Sequence, residues 1–137
     1  MEMTDSGGFF MNYGISKPVS LSFEATVEKV TDELKKEGFG VLTTIDVKET
    51  LKKKLGVDFE KYVILGACNP PFAHRALLAE EQIGLLLPCN VIVYEKEGKT
   101  IVSAFNPLVM TKILQNEEMR PISEEVRERL ERVIQAV

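Results

Sequence analysis

Two apolar runs on either side of a short helical pattern constrain the fold of this chain more than any other feature. Residues 62–67 read Y-V-I-L-G-A, and residues 84–94 read G-L-L-L-P-C-N-V-I-V-Y. The first run is continuously apolar, which is typical of a central strand covered on both faces. Pro88 interrupts the second and predicts a bulge or kink, because proline cannot donate to a strand ladder. Between the runs, Asn69 is predicted to cap a helix with Pro70 at its first position.

The rest of the sequence alternates between strand and helix patterns. Pro18 places the first predicted strand at or near a sheet edge, and Ser123 is predicted to cap the last helix after a break at Arg120-Pro121. The element order β-α-β-α-β-α-β-β-α-α predicts a single α+β domain over residues 13–137. We expect a mixed sheet of about five strands with helices packed against it. Residues 1–12 have no periodicity and contain a Ser-Gly-Gly break, so we predict a mobile tail there.

The composition favours a globular protein of the cytoplasm. The chain has 137 residues, a net charge of −4 and a pI near 5.2, which argues against nucleic-acid binding because such domains present a basic face. No run reaches the roughly 18 apolar residues of a membrane span. The start of the chain lacks the basic end and apolar core of a signal peptide. We therefore expect cytoplasmic residence, without a structural disulfide between the two cysteines.

The candidate site consists of two similar tripeptides, Cys68-Asn69-Pro70 and Pro88-Cys89-Asn90. The thiols would approach each other if the two strands are neighbours. A helix N-terminus carries unpaired N–H groups and partial positive charge, which favours an anion and lowers the pKa of a nearby thiol. Asn90 is an amide within an apolar strand and needs partners if it is buried. The predicted ligand-binding residues are Cys68, Asn69, Cys89 and Asn90, for a small-molecule or anionic ligand.

Three other interpretations of the tripeptides remain open. Cys68 is a candidate reactive or redox thiol that Cys89 would resolve, although the sequence has no C-x-x-C pair. Both cysteines, Cys89 more than Cys68, are also consistent with small buried residues in the core of a purely structural interaction module. A metal site would use Cys68, Cys89 and His74, but a helical wheel places His74 opposite Phe72 and Ala73, and the spacing matches no standard zinc pattern. The sequence assigns no metal ligand, cofactor or catalytic residue.

Three segments together carry a resemblance to a known family. They are L-G-A-C-N-P-P-F-A-H-R-A-L at residues 65–77, G-L-L-L-P-C-N-V-I-V-Y at 84–94, and N-P-x-x-M at 106–110. The chain resembles domain of unknown function family 302, a group of small bacterial and archaeal proteins, over about residues 13–137. The resemblance implies a compact α+β domain that associates as a homodimer and has no agreed biochemical activity. The matching motif positions are Cys68, Asn69, Pro70, Ala73, Leu77, Pro88, Cys89 and Asn90.

Overall fold

The computed structural model describes residues 12–137, so the predicted tail lies outside the described residues apart from Asn12. The strands are β1 Gly14–Val19, β2 Gly40–Asp46, β3 Tyr62–Cys68, β4 Cys89–Lys96 and β5 Lys99–Phe105. The helices are α1 Phe23–Lys36, α2 Val47–Leu55, α3 Pro70–Ala79, α4 Met110–Ile113 and α5 Met119–Ala136, with 3₁₀ segments at Glu81–Leu86 and Pro107–Val109. This element order confirms the predicted α+β class.

The five strands form one sheet in the order β1-β5-β4-β3-β2. Every neighbouring pair is antiparallel, so the sheet is not mixed as the sequence pattern suggested. A helix between two strands does not require a parallel crossover, because α2 and α3 return the chain beside the strand it has just left. The strand with Pro18 lies at the edge of the sheet, as predicted, because an edge strand can spare a ladder donor.

The core lies between one face of the sheet and helices α1, α3 and α5. On the sheet side, alternate residues such as Leu65, Val91 and Val102 are at most 2% exposed, which follows from the two-residue period of a strand. On α1, Val30 and Leu34 are fully buried. Burying one such side chain contributes about 1.5–3 kcal/mol, so this layer holds the helices on the sheet.

Helix α5 begins earlier than its sequence pattern predicted. The structure starts the helix at Met119, so Arg120-Pro121 does not break it. Pro121 lies in the first turn, where a missing N–H loses no intrahelical hydrogen bond. Ser123 is therefore an internal helix residue and not the cap, and only 2% of it is exposed.

The run at residues 84–94 divides into two elements. Its first part belongs to the 3₁₀ segment Glu81–Leu86, and β4 begins only at Cys89, after a cis peptide bond between Leu87 and Pro88. An apolar run without alternation fits a helix or a strand equally well, which explains why the sequence pattern predicted a single kinked strand. Cys89 is thus the first residue of β4 and does not lie in mid-strand.

Candidate functional site

A cavity of about 310 Å³ lies beside the junction of β3 and β4, under helices α3 and α5. Its wall is formed mainly by apolar side chains from five parts of the chain. Representative lining residues are Phe39, Phe72, Leu77, Met119, Ile122 and Val126. Leu77 lines the cavity and is 46% exposed, so the wall continues to the protein surface.

Three of the four predicted site residues line this cavity: Cys68, Asn69 and Cys89. The two strands that carry the thiols are neighbours, and Cys89 is the register partner of Ala67, the residue before Cys68. Cys68 is half-buried and Cys89 is 7% exposed. The antiparallel pairing of β3 with β4 therefore brings both tripeptides to the same end of the sheet, where the cavity lies.

The fourth predicted residue, Asn90, lies away from the cavity. It pairs with Gly66 across β3 and β4, and its side chain is exposed. Successive side chains of a strand point to opposite faces, so a buried Cys89 requires an outward Asn90. The exposed amide can be hydrated, and it carries none of the burial cost that made it a candidate.

Burial determines the chemistry of the Cys89 thiol. Desolvation, followed by the nearby Cys68, raises the pKa of Cys89 to about 12, because an apolar environment disfavours the thiolate. Both cysteines are free thiols. Cys89 is consequently a neutral side chain at physiological pH and cannot act as a ready nucleophile.

Asn69 occupies the N-cap position of α3, as predicted, but its side chain does not cap the helix. Its Nδ2 donates instead to the carbonyl oxygen of Glu37 at 3.1 Å. Arg129 donates to the same oxygen at 3.1 Å, and Arg132 binds the Glu37 carboxylate at 2.9 and 3.1 Å. Asn69 therefore ties the start of α3 to the end of α1 and fixes one side of the cavity.

The turn after α1 depends on this arrangement. Gly38 has φ +89°, a conformation that favours glycine. A Cβ at this position would lie 3.1 Å from Asn69 Nδ2, so a larger residue would also press against the amide. The backbone of this turn and the first tripeptide are packed against each other.

Ser123 is a polar residue of the cavity wall that the sequence pattern did not assign to the site. Its hydroxyl oxygen is buried and has no hydrogen-bond partner within the part of the chain that the structure describes, and the residue lines the cavity. A helix extended back to Met119 would have placed Ser123 on the apolar stripe between Met119 and Val126. Pro121 favoured a later helix start, so the sequence pattern did not place Ser123 on that stripe.

His74 is exposed on α3 and is absent from the cavity wall, in keeping with the helical wheel. Within residues 12–137, no group of three or more His, Cys, Asp and Glu side chains is placed to hold a metal ion. In the same range, no helix is both long and apolar enough to cross a membrane.

The fold and the cavity define a small α+β protein with an antiparallel five-stranded sheet and an apolar cavity at one end. The family model "Domain of unknown function DUF302" matches residues 15–137, and the chain belongs to this family. A solved structure of an uncharacterized conserved DUF302 protein from Bacillus stearothermophilus is similar, with 31% identity and a TM-score of 0.86 over 92% of this chain and 98% of that one. A comparison with curated proteins gives no match.

Proposed function

We propose that this protein binds a small apolar molecule in the cavity beside β3 and β4. The observation that carries the proposal is the cavity of about 310 Å³ with its predominantly apolar wall. Small-molecule sites are typically concave, apolar and about 300–1,000 Å³ in volume. A ligand with an apolar body would make dispersion contacts with the wall, and its transfer from water into the cavity would desolvate few polar groups.

Titration calorimetry with octanol tests this proposal. Wild-type protein is expected to bind octanol saturably with one site. Ala73 lines the cavity from α3 and is half-buried, so Ala73→Leu is expected to occupy part of the volume and weaken binding at least about tenfold, as overpacking predicts. Ala25→Leu is the matched control, because Ala25 is exposed on α1. The proposal would be refuted if the wild type bound neither octanol nor the purely apolar propylbenzene, or if Ala73→Leu bound octanol as tightly as the wild type.

Thiol chemistry at Cys68 is a second candidate function. Its support is the position of Cys68, half-buried in the cavity wall, where a bound molecule would meet the sulfur. The raised pKa of Cys89 argues against the predicted role of Cys89 as a resolving thiol, since exchange requires a thiolate. Brief treatment with hydrogen peroxide, followed by mass spectrometry, tests this candidate: a sulfenic acid on Cys68 supports it, and an unmodified Cys68 counts against it.

Homodimer formation and cytoplasmic residence stay predictions from the sequence and the resemblance. A dimer surface is supported by apolar residues on the sheet face opposite the cavity helices, where Ile45 pairs with Ile64 and is 47% exposed. Sedimentation equilibrium should give twice the monomer mass of 15.4 kDa. Ile45→Lys should then yield monomers, whereas Leu85→Lys, at a residue 81% exposed on the 3₁₀ segment, should not. A monomeric wild type would contradict the dimer.

A further inference from the structure

We infer that the ligand of this cavity is uncharged and carries one hydrogen-bonding group, such as a hydroxyl or a carbonyl, which Ser123 binds. The inference rests on the proposed function and adds the chemical class of the ligand. It depends on two separate observations about residues 12–137: no charged side chain lines the cavity, and the Ser123 hydroxyl in its wall has no hydrogen-bond partner.

The first observation concerns charge. Among the described residues that line the cavity there is no Asp, Glu, Lys, Arg or His. An ionised group that enters such a space loses its hydration and gains no ion pair, and that loss strongly opposes binding. Cys89 lies in the same wall, and burial there raises its pKa and so favours its neutral form. Neutral molecules should therefore bind in preference to anions and cations.

The second observation concerns the Ser123 hydroxyl. The side chain is 2% exposed, lines the cavity, and its oxygen has no partner among residues 12–137. A serine inside a helix usually relieves this cost by donating to the carbonyl four residues earlier, and Ser123 has no such hydrogen bond. A hydroxyl that accepts or donates one hydrogen bond suits an alcohol or a carbonyl compound, and it supplies a specific polar contact in a predominantly apolar wall that also contains Asn69 and the two thiols.

Probes that share one chain test the charge preference. Octanol, octanoate and octylammonium are titrated into wild-type protein by calorimetry at neutral pH. Octanoate and octylammonium are each expected to bind at least about tenfold more weakly than octanol, because each would bury an unpaired charge. Octanoate should bind more tightly as the pH falls toward the pKa of its own carboxyl group, while octanol should show no such change.

Variants of Ser123 test the hydrogen bond. Ser123→Ala should weaken octanol binding about 2- to 10-fold, the range for one neutral hydrogen bond, and should leave the affinity for propylbenzene unchanged. Ser123→Thr, which keeps a hydroxyl, should retain more of the octanol affinity. Ser20→Ala, at an exposed serine, should change neither. Ser123→Ala should also unfold at the same or a higher denaturant concentration than the wild type, since it removes an unpartnered buried hydroxyl.

The outcomes separate the inference from the proposed function. If neither octanol nor propylbenzene binds, the proposed function fails and the inference fails with it. If octanol binds and octanoate binds equally well, the cavity is a ligand site but the inference about charge is wrong, and the anionic ligand predicted from the sequence is favoured. If Ser123→Ala binds octanol as tightly as the wild type, Ser123 does not bind the ligand. If Ser123→Ala is clearly destabilised, its hydroxyl has a structural partner and the inference is overturned.

Discussion

The two tripeptides, Cys68-Asn69-Pro70 and Pro88-Cys89-Asn90, look almost alike in sequence and have opposite environments in the structure. In the first, the asparagine is 7% exposed and hydrogen-bonded to Glu37, while the cysteine is half-buried. In the second, the cysteine is 7% exposed and the asparagine is exposed. The first ends a strand and begins a helix, whereas the second begins a strand, so the side-chain alternation of β4 separates Cys89 from Asn90.

Residue type alone therefore does not place a side chain in a site. Each tripeptide contributes a different polar group to the cavity wall: Cys68 and Asn69 from the first, and only Cys89 from the second. The Asn69 amide is hydrogen-bonded to the turn after α1, and burial keeps the Cys89 thiol neutral. The candidate site therefore comprises three of the four predicted residues, Cys68, Asn69 and Cys89, together with Ser123.

The largest expected difference between the tripeptides is their tolerance of charge. Cys89→Asp places a carboxylate where the wild-type thiol is held neutral, and we expect a loss of about 3 kcal/mol or more in unfolding free energy, or failure to fold. Cys68→Asp, at a half-buried residue, should cost about 1 kcal/mol. Urea unfolding monitored by circular dichroism measures both. Equal losses would contradict the difference in burial.

Alkaline pH should separate the two thiols through the stability of the fold. The pKa of Cys89 in the folded state, about 12, lies above the ordinary thiol value of 9.0, so the neutral thiol favours the folded state at lower pH. That contribution is lost as the pH rises from about 9 to 12, by roughly 1.4 kcal/mol per pH unit. Cys89→Ala should unfold with a flatter pH dependence in this range than Cys68→Ala. Identical slopes for the two variants would show that Cys89 is not desolvated.

The two asparagines should also differ according to their burial, with a smaller effect on stability than the cysteines. Asn69→Ala removes the hydrogen bond to Glu37 and leaves a part-buried carbonyl with one donor fewer, so we expect a loss of about 1–2 kcal/mol. Asn90→Ala changes an exposed side chain and should stay within about 0.5 kcal/mol of the wild type. Thermal or urea unfolding of the two variants measures this difference in stability. A larger loss for Asn90→Ala would mean that its amide has a partner on the open face.

The smallest expected effect concerns the ion pair that supports the first tripeptide. The hydrogen bond from Arg132 lowers the pKa of the Glu37 carboxyl, so this pair stabilises the fold above the unfolded pKa of Glu, about 4.3. The contribution is lost as the pH falls through the lowered folded pKa. Arg132→Gln should lower the unfolding free energy slightly at neutral pH and less in acid, because exposed ion pairs contribute little. Arg120→Gln is the control, because its contact with Glu117 is 3.9 Å long and exposed. A pH-independent loss would exclude the ion pair as the cause.

Much of the fold follows from the sequence because local signals agree with the packing. Serine before an apolar pattern of helical spacing is a typical N-cap, and Ser22 caps α1, with Oγ accepting from the amide of Ala25 at 3.1 Å. The apolar stripe that follows includes the buried residues Val30 and Leu34. The sequence made the approach of the two thiols conditional on neighbouring strands, and the structure meets this condition because β3 pairs with β4. These features depend on residues close together in the chain.

The features that sequence alone missed depend on register and on distant contacts. The face on which Asn90 lies is set by where β4 begins, and an apolar run gives no such boundary. The role of Asn69 depends on Glu37, which is 32 residues away. The environment of Ser123 depends on α5 beginning at Met119, which places Ser123 inside the helix. Each of these is a tertiary property that a local pattern cannot specify.

The most direct test of the central claim is to locate octanol binding on the protein by methyl NMR with labelled methionine and alanine. Met110, Met119, Ala73 and Ala76 line the cavity, whereas Ala25 and Ala136 are exposed elsewhere. Ligand binding in the cavity predicts saturable shifts of the first four methyl signals and none of the last two. Unchanged cavity signals at saturating octanol, or shifts confined to the exposed alanines, would contradict the proposal that this cavity is the binding site.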